Sequence, residues 1–207
     1  MSTNREAIGE RFLQQIDFLI EIDRVKTVFR KTRLFSDNKR YENDAEHGWH
    51  MSLMALILSE HSNQQVDISK VVKMALIHDL VEIDTGDIFL YAENQGDKTV
   101  NERECAERIF GLLPEDQRDE YMKLWEEFEA KETAEAQFAG ALDRLGPVMQ
   151  NYYDSGHAWK KHNITADKVL KVNQQIKDGS EKIWQFAKSL IDKAVEKGDL
   201  EKGTDHF

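Results

Sequence analysis

The segment MALIHDLVEIDTGDI, Met74 to Ile88, sets polar side chains into an otherwise apolar run. Between Met74 and Ile83 only His78, Asp79 and Glu82 are not apolar. An imidazole and two carboxylates in a buried stretch are costly unless they are paired or hold a metal ion. The nearest cation in the sequence is Lys73, at the edge of the segment. On a helix His78 and Glu82 share a face, and so do Asp79 and Glu82. Two other stretches offer matching groups. DAEHGWH brings His47 and His50, and FAGALDRLGP sets Asp143 among Phe138, Ala139, Ala141, Leu142 and Leu145. Arg144, next to Asp143, points elsewhere on a helix. His47, the His78-Asp79 pair and Asp143 together make two imidazoles and two carboxylates, a donor set suited to one divalent transition metal with open positions. His50 reads as a packing histidine rather than a further ligand.

These residues need elements to position them. Apolar spacing predicts helices over 5–23, 46–62 and about 67–83, with Asp44 as the expected cap of the second. The polar stretch 31–45 reads as a long loop or a loop with short helical turns, and DTGDIFLYAENQGDKTVN as a loop beside the site. Helices resume at 99–112, 115–130 and 133–152. Gly146-Pro147 is expected to kink or interrupt the last of these. GHAWKKHNITAD reads as a second loop, and Thr165 as the cap of one long helix to about 197. Helix-forming residues dominate and only two prolines occur, so the expected fold is all-α: a single domain over 1–207, with its core at about 15–190 and a frayed tail at 198–207.

The order His47, His78-Asp79, Asp143 resembles the HD-domain superfamily of metal-dependent phosphohydrolases. The longer strings EHGWHMSLMALIL, MALIHDLVEIDTGDI and ALDRLGPVMQNY resemble the branch that contains bacterial 5′-deoxynucleotidases. That resemblance implies a helical bundle holding one divalent ion (manganese, cobalt, magnesium, zinc or iron) at its centre through His47, His78, Asp79 and Asp143. It also implies that Glu82 and Asp87 flank the scissile phosphate and that the protein is a homodimer. No histidine lies between Asp79 and Asp143. Two-metal members draw ligands from that interval, so one metal and simple ester hydrolysis are expected. In the branch an Arg-Trp pair precedes the first ligand, whereas here Leu34 follows Arg33.

The residues support such roles. Glu82 is placed to take a proton from an attacking water, and Asp87 to donate one to the leaving oxygen or to hold the phosphate's surroundings in place. Arg33 or Arg40 is expected to clamp phosphate oxygens through a planar fork. Trp159 and His162 are candidate walls for the sugar and base. The expected activity is hydrolysis of a nucleoside 5′-monophosphate. Phosphodiester or pyrophosphate hydrolysis, and a non-catalytic nucleotide-binding module, are the alternatives.

Bulk properties narrow the partners. With 28 basic against 39 acidic side chains the net charge is −11, which disfavours a nucleic-acid polymer. Cys105 is the single cysteine, which excludes an intrachain disulfide and a thiolate zinc cluster. No signal-peptide-like core and no run of 18 apolar residues is present, so a cytoplasmic protein without a membrane span is expected.

Overall fold

The computed structural model describes residues 9–87, 89–91 and 98–203. Helix α1 (Glu10–Ile22) leads through a tight 3₁₀ turn into an antiparallel pair, β1 (Phe29–Arg33) and β2 (Tyr41–Asn43). Then follow α2 (Asp44–Leu58), α3 (Ile68–Ile77), a 3₁₀ turn (His78–Val81), the short α4 (Glu82–Thr85), α5 (Lys98–Phe110), α6 (Glu115–Ala130) and α7 (Ala134–Tyr153). The chain ends with α8 (His157–Lys161), α9 (Ala166–Asn173), α10 (Ile176–Gly179) and α11 (Glu181–Glu196).

Helix α7 is the axis of the bundle. Ala136, Phe138, Ala139, Ala141, Leu142, Leu145 and Val148 are all buried. It packs against α2, α3, α6, α10 and α11. Its run of Ala and Gly lets these neighbours come close. Thr133 caps its start by accepting from the Ala136 amide at 3.3 Å. Helices α2 and α3 meet where Gly48 faces the Ala75 carbonyl; a Cβ at 48 would sit 3.0 Å from that oxygen. This contact brings His47 and His78 side by side.

Several sequence expectations change. The stretch 31–45 is mostly the β1–β2 hairpin with its turn, not a loop with helical turns. Its strand signal is weak because its inward side chains serve a polar site rather than an apolar core. Asn43, not Asp44, caps α2. Asn43 Oδ1 accepts from the Glu46 amide at 3.0 Å, and Glu46 Oε2 accepts from the Asn43 amide at 3.3 Å. The helix expected to about 83 ends at Ile77 and tightens to 3₁₀ at His78. Helix α7 runs through Pro147 without interruption. The helix expected from Thr165 to 197 is three segments, the last capped by Ser180, whose hydroxyl accepts from the Ile183 amide at 3.1 Å. GHAWKKHNITAD contains α8. The described part of the tail is packed, not frayed. Leu200 is buried, and the Ala166 amide donates to the Glu201 carbonyl at 2.8 Å. Residues 5–8 of the first predicted helix and 204–207 of the tail lie outside the described residues. Among the described residues no helix is long and apolar enough to cross a membrane.

Candidate active site

Four side chains from three places in the bundle converge. His47 comes from α2, His78 and Asp79 from the 3₁₀ turn, and Asp143 from α7. His47 Nε2 lies 3.0 Å from Asp143 Oδ1, and His78 Nε2 lies 3.1 Å from Asp79 Oδ2 and 3.8 Å from Asp143 Oδ1. Donor atoms of His47, His78 and Asp79 all fall within 4.8 Å of one another. The far side of each ring is already engaged. His78 Nδ1 lies 3.0 Å from the Ala75 carbonyl, and His47 Nδ1 faces Glu42 at 3.4 Å. These contacts fix the ring orientations and turn both Nε2 atoms inward. His78 Nε2 is buried and, despite its short approach to Asp79, makes no hydrogen bond. An orphaned imidazole nitrogen facing two carboxylates is a fit for a divalent cation, since it needs a partner and the carboxylates supply the charge.

The carboxylates and the imidazoles shift one another's protonation. Burial opposes the charged form of His78, yet Asp79 and Asp143 hold its pKa up at about 10. His47 is also raised. Burial and Arg30 oppose that shift, but the Asp143 and Glu42 bonds win. Asp79 and Asp143 are held below the usual carboxylate range. Burial opposes this too, but the histidines, and for Asp79 also Arg30, prevail. The cluster draws in protons as its positive charge.

Arg30, on β1, closes the site from the other side. It donates to Asp79 Oδ2 at 2.7 Å and lies 3.4 Å from Asp44, 3.8 Å from Asp143 and 3.8 Å from Glu42. Sequence reading missed it. A signal was available, because in a strand Arg30 faces away from Lys31 and Arg33, but it is invisible when the stretch is read as a loop.

A second carboxyl group lies alongside. Oxygens of Asp44, Glu82 and Asp87 fall within 4.8 Å of one another. Burial, then the charges of Asp79, Asp44 and Asp87, push Glu82 up to about 11. Burial and Asp79 likewise push Asp44 to about 7, and burial raises Asp87. Asp44 Oδ2, Glu82 Oε2 and Asp87 Oδ2 have no hydrogen-bond partner among the described residues. This trio has metal-ligand spacing of its own. In the sequence Glu82 and Asp87 stand out beside the His-Asp pair, whereas Asp44 reads as a helix cap.

His78, Asp79, Glu82, Asp87 and Asp143 line a cavity of about 220 Å³, walled by Phe89, Tyr91 and Phe128 and carrying Arg30, Lys31 and Lys131. Larger hollows elsewhere, one between α1 and the start of α6 and one among α2, α7 and α11, contain no pairing of imidazole with carboxylate. Arg33 and Arg40 are placed away from this cavity. Arg33 makes a two-pronged pair with Asp154 at 2.6 and 2.8 Å, and Arg40 pairs with Glu46 at 2.9 Å. Trp159 is buried and does not line the cavity. His162 reaches it only through Phe89, at 4.4 Å between ring centroids. His50 packs against Phe35 and Trp49 on the far side of α2.

A comparison with known families now decides the lineage: the HD-domain family model matches residues 22–184, a span that contains all four converging residues. The chain belongs to the HD-domain family. It is 34% identical to the 5′-deoxynucleotidase HDDC2 of Homo sapiens over 153 residues, 72% of each chain. It is 25% identical to the 5′-deoxynucleotidase hdd1 of Schizosaccharomyces pombe over 145 residues, 68% of this chain and 72% of that one. Among solved structures, a predicted metal-dependent phosphohydrolase from Magnetospirillum magnetotacticum superposes with a TM-score of 0.87 at 47% identity, covering 93% of this chain and 100% of that one. A conserved hypothetical protein from Pyrococcus furiosus shares the HD fold at a TM-score of 0.63 and 23% identity, over 87% of this chain and 99% of that one.

Proposed function

We propose that this HD domain is a metal-dependent phosphohydrolase that releases inorganic phosphate from a nucleoside 5′-monophosphate. The observation that carries the reading is the orphaned His78 Nε2, set among His47, Asp79 and Asp143 at the floor of a cavity that also holds Arg30, Glu82 and Asp87. His47, His78, Asp79 and Asp143 would hold one divalent cation. When bound, it neutralises phosphate charge and lowers the pKa of the attacking water.

The chain's own groups do the rest. Arg30 presents a planar fork to the phosphate oxygens and shifts its contacts from Asp79 toward the substrate. Glu82 takes the proton of the attacking water. Burial and the charges of Asp79, Asp44 and Asp87 hold Glu82 protonated, so it accepts that proton only where cationic charge beside the site offsets them. Asp87, raised by burial, is tuned in the direction of an acid and protonates the leaving 5′ oxygen. Phe89 and Tyr91 exclude water from the sugar side. A cavity of about 220 Å³ suits a mononucleotide's phosphate and sugar better than a dinucleotide, which favours a monoester over a larger diester. The relatives' names supply the nucleotide as substrate.

Manganese or cobalt is the first expectation for the ion, a homodimer for the assembly and the cytoplasm for the location. An exposed apolar face formed by Trp49, Ile57 and Phe186 supports the dimer.

The test is phosphate release from deoxy- and ribonucleoside 5′-monophosphates with Mn²⁺, Co²⁺, Mg²⁺ and Zn²⁺. Turnover with at least one ion is expected. Glu82→Gln is expected to keep its metal and lose about 10²–10⁴ in kcat. No phosphate release from any ester with any ion would defeat the reading.

A further inference from the structure

Among the described residues the cavity carries three cations besides Arg30, and two of them, Lys31 and Arg144, face an oxygen of the protein. Arg30 is engaged by Asp79, Lys31 faces Asp87 at 3.6 Å, and Arg144 donates to the Val172 carbonyl at 3.3 Å. Lys131 lines the same cavity with no carboxylate in contact among the described residues. Glu129, Asp143 and Asp79 act on it only at longer range. Its ammonium instead stands 2.9 Å above the centre of the Phe128 ring. That ring packs in turn on His78, at 4.8 Å between centroids. The charge therefore stands in the cavity wall with one aromatic ring linking it to a proposed metal ligand.

Two features hold it there, and each costs the fold something. Lys131 ends α6 in the left-handed region, with φ 53° and ψ 29°. Glycine adopts that conformation freely and a lysine does not. Its stem then lies across α7 at Gly140, less than one turn before Asp143. A Cβ at 140 would sit 2.9 Å from Lys131 Cε and 3.1 Å from Cδ. The strained backbone and the gap in α7 both direct one ammonium group into the cavity.

We propose that Lys131 is a substrate-binding residue that supplies a second cationic contact to the substrate phosphate, from the α6–α7 side of the cavity, while Arg30 serves it from β1. The assignment rests on the phosphohydrolase reading above. A phosphate dianion offers three terminal oxygens. One guanidinium fork cannot satisfy them all, and an ammonium parked on an aromatic face moves to an anion at little cost. Burial already lowers the Lys131 pKa to about 8, against the raising effect of Glu129 and Asp143, as expected of a charge without a contacting counter-ion.

The test uses the manganese-loaded protein, with a nucleoside 5′-monophosphate as substrate and inorganic phosphate as inhibitor. Lys131→Met is expected to raise KM and the phosphate inhibition constant about tenfold, with kcat changed less than about threefold and bound manganese unchanged. Lys131→Arg is expected to stay within about threefold of the wild type in both constants. Lys131→Gly relieves the backbone, so its thermal midpoint is expected within about 2 °C of the wild type or above it while phosphate binding weakens. Wild-type KM and phosphate inhibition in Lys131→Met would overturn the proposal. So would loss of metal, or a lowered midpoint with unchanged KM, since either assigns the side chain to the fold. If the wild type turns over no nucleotide yet binds phosphate through Lys131, the reaction reading fails and this assignment stands. If it turns over nucleotides with Lys131 irrelevant, the reverse holds.

Discussion

At the scale of single residues the site sets carboxylates against buried imidazoles. His78 is held at about 10 against its burial by Asp79 and Asp143, and His47 is raised, against its burial and Arg30, by Asp143 and Glu42. A metal ion needs neutral imidazoles, so loading must expel protons. Calorimetric titration of the metal-free protein with Mn²⁺ at pH 7, in buffers of different ionisation enthalpy, should show release of about one proton or more per ion. An ion that binds with no proton release would mean that the histidines are neutral beforehand and the cluster is not short of charge. Arg30 makes a second, opposed prediction. It neutralises Asp79 at 2.7 Å, so Arg30→Met should tighten metal binding while kcat/KM falls about 10²-fold or more. Loss of both metal and activity would make Arg30 a structural clamp. The four ligand-type residues were legible in the sequence because buried polar side chains on apolar helices stand out. Arg30 and Lys131 were not. A cation among other surface cations carries no periodic signature, and what distinguishes these two is backbone direction: a strand face for one, a left-handed helix end for the other.

At the scale of elements, the bundle was legible where apolar stripes run at helical spacing, and less so where the site overrides them. The helix from Ile68 stops at Ile77 although the sequence stays apolar to Ile83. The tightened turn that follows carries His78 and Asp79, whose contacts with Arg30 and Asp143 outweigh a continued α-ladder. Pro147 misled in the other direction, since α7 is packed on so many sides that one missing amide does not break it. The two small residues flanking the ligands differ in a testable way. A Cβ at Gly48 would press on the Ala75 carbonyl at 3.0 Å, whereas one at Gly146 would meet His47 Cε1 at an ordinary 3.7 Å. Gly48→Ala should therefore push α2 from α3, costing about 1–3 kcal/mol in chemical denaturation and weakening metal binding. Gly146→Ala should gain up to about 1 kcal/mol from helix propensity and leave metal binding unchanged. Equal effects at both sites would mean that the α2–α3 spacing does not set the geometry of the cluster.

At the scale of the whole molecule, a chain with net charge −11 gathers Glu42, Asp44, Asp79, Glu82, Asp87 and Asp143 around one arginine, and this must cost the metal-free fold. The sign follows from the direction of each shift. Asp44 is raised to about 7 and His78 to about 10, so the stability each contributes is present below its unfolded value and lost as pH rises through the folded one. For Asp44 that window runs from about 4 to 7, and for His78 from about 6.5 to 10. Asp79 and Asp143 are lowered, so their contribution is present above about 4 and lost only in acid. Glu82, pushed up to about 11 by burial and its carboxylate neighbours, adds a decline that starts near its unfolded value, so metal-free protein should be most stable near pH 4, weaken steadily above it and lose on the order of 5 °C in thermal midpoint between pH 6 and 9. Saturating Mn²⁺ should remove most of that decline, because the cation replaces the protons that the cluster gives up. A midpoint in chelator that stays flat from pH 6 to 9 would show that the converged carboxylates do not strain the fold. The case for a cation at this centre would then rest on geometry alone.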